Sequence, residues 1–128
     1  MNRTILLVGV LFGISAVILG AFGAHGLKEV ISESSLNSYE TGVTYQMYHA
    51  LFLLWLGSTT RLSEAHKRWI FWCAVLGILL FSFSIYFLAT DSLNSINFKS
   101  IAFVTPLGGA FLITAWLLLG YRIFKYFN

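Results

Sequence analysis

Residues 4–24 carry no charged side chain, and three more uncharged apolar runs follow at residues 43–60, 69–89 and 101–121. A helix rises 1.5 Å per residue, so about twenty residues cross a hydrocarbon core of about 30 Å. Four such runs constrain the chain to an all-α integral membrane four-helix bundle. Composition agrees with this: with 58% hydrophobic and only 10% charged residues, there is too little polar surface to coat a water-soluble globule. The longest connection, residues 25–42, is far below the roughly 50 residues that a separate soluble domain needs. One membrane domain over residues 1–128 is therefore expected.

The first run also resembles a secretory signal, because Asn2 and Arg3 precede it and small residues close it. It is longer than the usual signal core of about 7–15 residues, so it is expected to persist as a span. Within it Gly9, Gly13, Ala16, Gly20 and Gly23 recur at helical spacing and form one stripe. In lipid, close packing through small residues is a main source of helix association. The stripe reads either as packing within one bundle or as an interface between copies.

Residues 25–42 form a polar, partly amphipathic connection in which Glu29, Glu33 and Glu40 read as solvated. Ser34 or Ser35 is placed to cap a helix starting near Leu36, and Gly42 marks a site for a kink. Residues 61–68 and 91–99 form the other connections. Thr105-Pro106 is expected to start the fourth helix, where proline costs no intrahelical hydrogen bond; a start at Ile101 would instead make Pro106 a bend.

Lysine and arginine set the orientation. Arg3, Arg61, Lys67, Arg68, Arg122 and Lys125 flank one set of span ends, and Lys28 and Lys99 the other. The positive-inside rule then puts both termini and the central connection in the cytoplasm of a plasma or inner membrane. Trp69, Trp72, Tyr86 and Tyr121 near span ends suit the headgroup belt. The scattered basic residues form no face for nucleic acid. Cys73, the single cysteine, lies in an apolar run and leaves the redox compartment open.

This topology gathers polar side chains toward the outer leaflet. His25 closes Gly20-Ala21-Phe22-Gly23-Ala24-His25-Gly26, and Tyr45, Gln46 and His49 share one side of the second helix at spacings of three and four. Ser82, Ser84 and Thr105 fall at the same level. Such groups turn inward and bond across helices, each bond being worth roughly 0.6–2 kcal/mol. A satisfied network that fixes helix register is the first reading, with neutral imidazoles acting as both donor and acceptor. A pocket for a quinone, lipid headgroup or other amphiphile is the second. Haem ligation by His25 and His49, or a metal site, ranks lower for want of an apolar slot and of acidic or thiol ligands.

The segments Gly20–Gly26, Tyr-Gln-Met-Tyr-His-Ala from Tyr45, Leu-Phe-Ser-Phe-Ser-Ile-Tyr from Leu80 and Thr-Pro-Leu-Gly-Gly from Thr105 resemble those of the domain-of-unknown-function 423 family, related to transmembrane protein 256. The resemblance covers nearly the whole chain and implies a small four-helix membrane protein with no established activity. Phe83 stands between Ser82 and Ser84 where a Ser-Gly-Ser pattern is more typical, which slightly weakens the case for close helix packing there.

No catalytic residue is assigned. Ser82 and Ser84 have no adjacent base and acid, no phosphate-binding glycine loop is present, and no Asp, Glu, Lys or Arg lies within a span to relay protons. No cofactor or metal is called for. The expected function is that of a non-enzymatic accessory or structural protein in the lipid bilayer, packing against its own copies or another membrane protein. The alternative is a binding or carrier protein for a lipid, quinone or other amphiphile at the Tyr/Gln/His cluster.

Overall fold

The computed structural model describes residues 1–93 and 101–127. Lys99 and most of the connection at residues 91–99 lie outside the described residues. The described chain is helical: α1 spans Asn2–His25, α2 Glu33–Ser58, α3 Glu64–Ala89 and α4 Val104–Tyr126, with 3-10 turns at Leu27–Glu29 and Asp91–Leu93. Three of the helices, α1, α3 and α4, are long and apolar enough to cross a membrane. At 26 residues α2 has the length, but Tyr45, Gln46, Tyr48 and His49 dilute its apolar character.

Two helix starts differ from expectation. The α2 cap is Ser32, whose hydroxyl accepts the Ser35 amide at 3.1 Å, so the helix begins three residues before Leu36. Ser63 caps α3 through the His66 amide at 3.3 Å, which folds residues 64–68 into the helix rather than leaving them in a connection. In both cases an extended serine presents its oxygen to an otherwise unpaired first-turn N–H. At the other junctions, α2 stops at Ser58 and α4 starts at Val104. Thr105 and Pro106 therefore sit in the first turn of α4, and Pro106 does not act as a mid-helix bend.

Successive helices run antiparallel, with α1 on α2, α2 on α3 and α3 on α4. The small-residue stripe of α1 lies against α2. A Cβ added at Gly9 would meet the Ala50 carbonyl oxygen at 3.1 Å, and one at Gly23 would meet the Tyr39 ring at 2.6 Å; Ala16 is buried. Gly20 faces Val43 at 3.3 Å, while Gly13 has room, its nearest neighbour being the Ala50 methyl at 3.9 Å. At Gly42 the α2 helix continues unbroken, and the missing side chain admits the Tyr86 ring, 2.7 Å from where a Cβ would stand.

The closest glycine approach joins α3 and α4, two residues from Phe83. A Cβ on Gly108 would sit 2.3 Å from the Phe81 amide nitrogen and 2.6 Å from the Leu80 carbonyl carbon. Backbone therefore meets backbone here, with the glycine supplied by α4 rather than by α3. Two apolar clusters flank the middle of α2. The larger is built on Ile5, Leu53, Leu56, Ile70, Ala74 and Ile78, and the smaller on Leu27, Tyr39 and Ala89.

Candidate functional site

Gln46 lies between these clusters and is fully buried. Its amide nitrogen donates to the Phe12 carbonyl at 2.9 Å and to Ser15 Oγ at 2.7 Å, and its Oε1 accepts the Tyr86 hydroxyl at 2.7 Å. The partners fix the amide orientation, since a carbonyl only accepts. Ser15 in turn donates to the Phe12 carbonyl at 3.2 Å. One side chain thus ties α2 to both α1 and α3. Beside it, the buried Ser82 donates to the Gly42 carbonyl at 2.7 Å, and Tyr39 donates to the Leu19 carbonyl. Tyr86 is therefore an interior partner and not a member of the headgroup belt, whereas Trp69, Trp72 and Tyr121 are exposed.

His49 faces a different neighbour. Its Nδ1 lies 2.7 Å from the Tyr45 carbonyl, and the Trp116 indole N–H donates to its Nε2 at 3.0 Å. A carbonyl can only accept and an indole N–H only donate, so the imidazole is neutral with its proton on Nδ1. Both ring nitrogens are thus engaged within the chain, Nδ1–H as donor and the Nε2 lone pair as acceptor. The same logic orients the third pair: Ser84 donates to the Phe81 carbonyl at 2.9 Å, so Thr105 is the donor in the 2.6 Å contact between the two hydroxyls.

The predicted cluster therefore divides. Gln46 and Ser82 belong to the layer between α1, α2 and α3, His49 joins α2 to α4, and Ser84 with Thr105 joins α3 to α4. His25 ends α1 exposed, and among the described residues no hydrogen bond connects it to the others. Tyr45 contributes its carbonyl to His49, while its ring packs 5.2 Å from that of Phe81. Spacing of three and four put these residues near one side of α2, but the 60° between Gln46 and His49 is enough to aim them at different helices.

Tyr45, His49, Phe81, Gly109, Leu112 and Trp116 line a lateral groove of about 350 Å³ between α2 and α4. A second hollow of about 260 Å³, lined by Phe52, Trp55, Trp116, Leu119 and Ile123, shares its Trp116 wall. The walls are apolar and aromatic, and the His49–Trp116 pair is the polar feature at their junction. Among the described residues, every buried side-chain nitrogen and oxygen has a hydrogen-bond partner, and no three His, Cys, Asp or Glu side chains gather as a metal set.

Three participants went unassigned from sequence. Ser15 is the one polar side chain in the interior of the first run, and Trp116 stands at mid-helix, away from the interface that tryptophan favours; both were available signals. Lys67 gave no such signal. It is 1% exposed, and its ammonium donates to Asn2 Oδ1 at 2.8 Å and to the Thr59 carbonyl, joining the start of α1 to the turn between α2 and α3.

A family model described as "Protein of unknown function (DUF423)" matches residues 19–109. The chain is 37% identical over 123 residues to a UPF0382 membrane protein of Staphylococcus saprophyticus, covering 96% of this chain and 98% of that one. It is 36% identical over 124 residues to UPF0382 membrane proteins of Staphylococcus epidermidis and Haemophilus influenzae, covering 97% of this chain and 98% and 95% of theirs. No solved structure matches.

Proposed function

We propose that this chain, which belongs to the DUF423 family, is a four-span, non-enzymatic integral membrane protein with an accessory or structural role and both termini cytoplasmic. The observation that carries this reading is the saturation of the polar layer. Gln46, His49, Ser82 and Ser84 have their hydrogen-bonding groups taken up inside the chain, each with at least one bond to another helix, and among the described residues no nucleophile is left beside a base. A site organised in this way holds helices in register. The same saturation supports α2 as the fourth span, because Gln46 and His49 turn inward. Orientation is supported by Arg3, Arg61, Arg68, Arg122 and Lys125, which share the end where α1 and α3 begin.

The small-residue stripe is consumed within the chain, so a partner meets the outer faces instead. On α1 these present Leu7, Leu11, Ile14 and Ile18, and on α4 Ile113 and Leu117. Native mass spectrometry of protein released from the membrane in mild detergent tests the accessory role. A discrete complex with copies or with another membrane protein is expected, and an empty monomer overturns it. A reporter fused after Asn128 that is active only outside the cell overturns the orientation.

The groove beside His49 and Trp116 favours one second reading, an amphiphile-binding protein. His49→Ala separates the two: an architectural role predicts lost stability, and a ligand role predicts lost amphiphile with the helices intact.

A further inference from the structure

At the end of the molecule opposite the polar layer, His66, Trp69, Ile70, Leu118 and Arg122 line a cleft of about 210 Å³ between the start of α3 and the end of α4. Its floor is apolar: Ile70 is buried and Leu118 half-buried. Trp69, 69% exposed, stands at its edge as an interfacial aromatic residue does. Its rim is cationic. The Arg122 guanidinium lies 5.3 Å from the centre of the Tyr121 ring and 5.9 Å from that of Tyr126, and Lys125 Nζ lies 5.8 and 5.5 Å from the same rings. The His66 ring packs 4.9 Å from Tyr126.

The two rim cations rest on aromatic faces rather than on carboxylates. Among the described residues one ion pair is present, and it joins the Met1 ammonium to Glu64 at 3.6 Å, which withdraws the acid nearest this end. Arg3, Arg61 and Arg68 add further positive charge at the same level. An apolar floor, an aromatic edge and a cationic rim match the acyl chain, glycerol backbone and phosphate of a lipid.

We propose that this cleft binds an anionic phospholipid, with its phosphate at Arg122 and Lys125 and an acyl chain on Ile70 and Leu118. The site needs the chain in a bilayer and nothing of the accessory role.

Reconstitution into phosphatidylcholine vesicles tests it, with brominated phosphatidylglycerol or brominated phosphatidylcholine as quencher. The Trp69 contribution is read as the difference between the parent and Trp69→Phe. Phosphatidylglycerol is expected to quench Trp69 at the lower mole fraction, and Arg122→Gln with Lys125→Gln to erase that preference by about fivefold per cation removed. Lys28→Gln, at the opposite end, leaves it unchanged. If the double variant loses helix content, Lys125→Gln alone replaces it, with about a fivefold loss expected from this exposed residue. Equal quenching by the two lipids, or a preference that survives the variants, overturns the site. So does a parent without lipid preference whose dimer the double variant dissociates, since the cleft is then a contact between copies. A chain that fails to float with vesicles overturns the membrane reading together with the site.

Discussion

Gln46→Leu isolates what the polar layer contributes. Leucine nearly matches glutamine in volume and helix propensity, so the change removes hydrogen bonds with little effect on packing. Three bonds are lost: to the Phe12 carbonyl, to Ser15 and from Tyr86. Interhelical bonds within membranes average about 0.6 kcal/mol and reach about 1.7, because the separated helices also find partners. Three average bonds give about 2 kcal/mol, or about a thirtyfold shift in the folding equilibrium. The Tyr86 hydroxyl loses its acceptor in the interior, so the true value lies above a bare sum of averages. Reversible unfolding in mixed micelles, followed by far-ultraviolet circular dichroism, measures the change. Tyr86→Phe alone is expected to cost about 0.6–1 kcal/mol, and the double variant less than the sum of the singles, because the two share one bond. A Gln46→Leu protein within about 0.5 kcal/mol of the parent, or strict additivity with Tyr86→Phe, would refute the assignment of register to this side chain.

Other substitutions probe the rest of the scaffold. Gly108→Ala places a methyl 2.3 Å from the Phe81 nitrogen, where backbone cannot yield, and is expected to cost about 3 kcal/mol in the same unfolding assay. Gly13→Ala, with 3.9 Å to its nearest neighbour, is expected to stay within about 1 kcal/mol of the parent or to stabilise it, through reduced backbone entropy. Lys67→Met keeps the apolar stem but drops the bonds to Asn2 and Thr59, with an expected loss of about 1–3 kcal/mol and faster proteolysis at the start of α1.

The helices were legible because each apolar run reports its own length, and the stripe because small residues at spacings of three and four can only line one face. Helix starts were less so. Ser32, Ser34 and Ser35 are all chemically able to cap α2, and the choice depends on which serine takes an extended backbone, which here is Ser32. Lys67 was illegible for a deeper reason. A lysine beside Arg68 in a polar stretch is ordinarily a solvated charge, and its burial depends on two acceptors that the fold brings to it, Asn2 Oδ1 from the start of α1 and the Thr59 carbonyl from the end of α2. The division of the cluster was hidden for the same reason: one sequence lists Gln46 and His49 three apart, but their partners Ser15, Tyr86 and Trp116 come from three other helices.

The weakness of α2 as an apolar segment follows from its position. It packs directly on α1 and α3, and its His49 and Phe52 rings lie 6.1 and 4.7 Å from that of Trp116 on α4. Its buried residues accordingly include a glutamine and a histidine along with Leu53 and Leu56. By contrast α1 and α4 turn broad aliphatic faces outward. The buried side of α2 need not be apolar, because its environment there is protein rather than lipid, and Gln46 and His49 find partners in it. The segment that reads least like a membrane span therefore carries Gln46 and His49 on its buried side, where between them they bond to each of the other three helices.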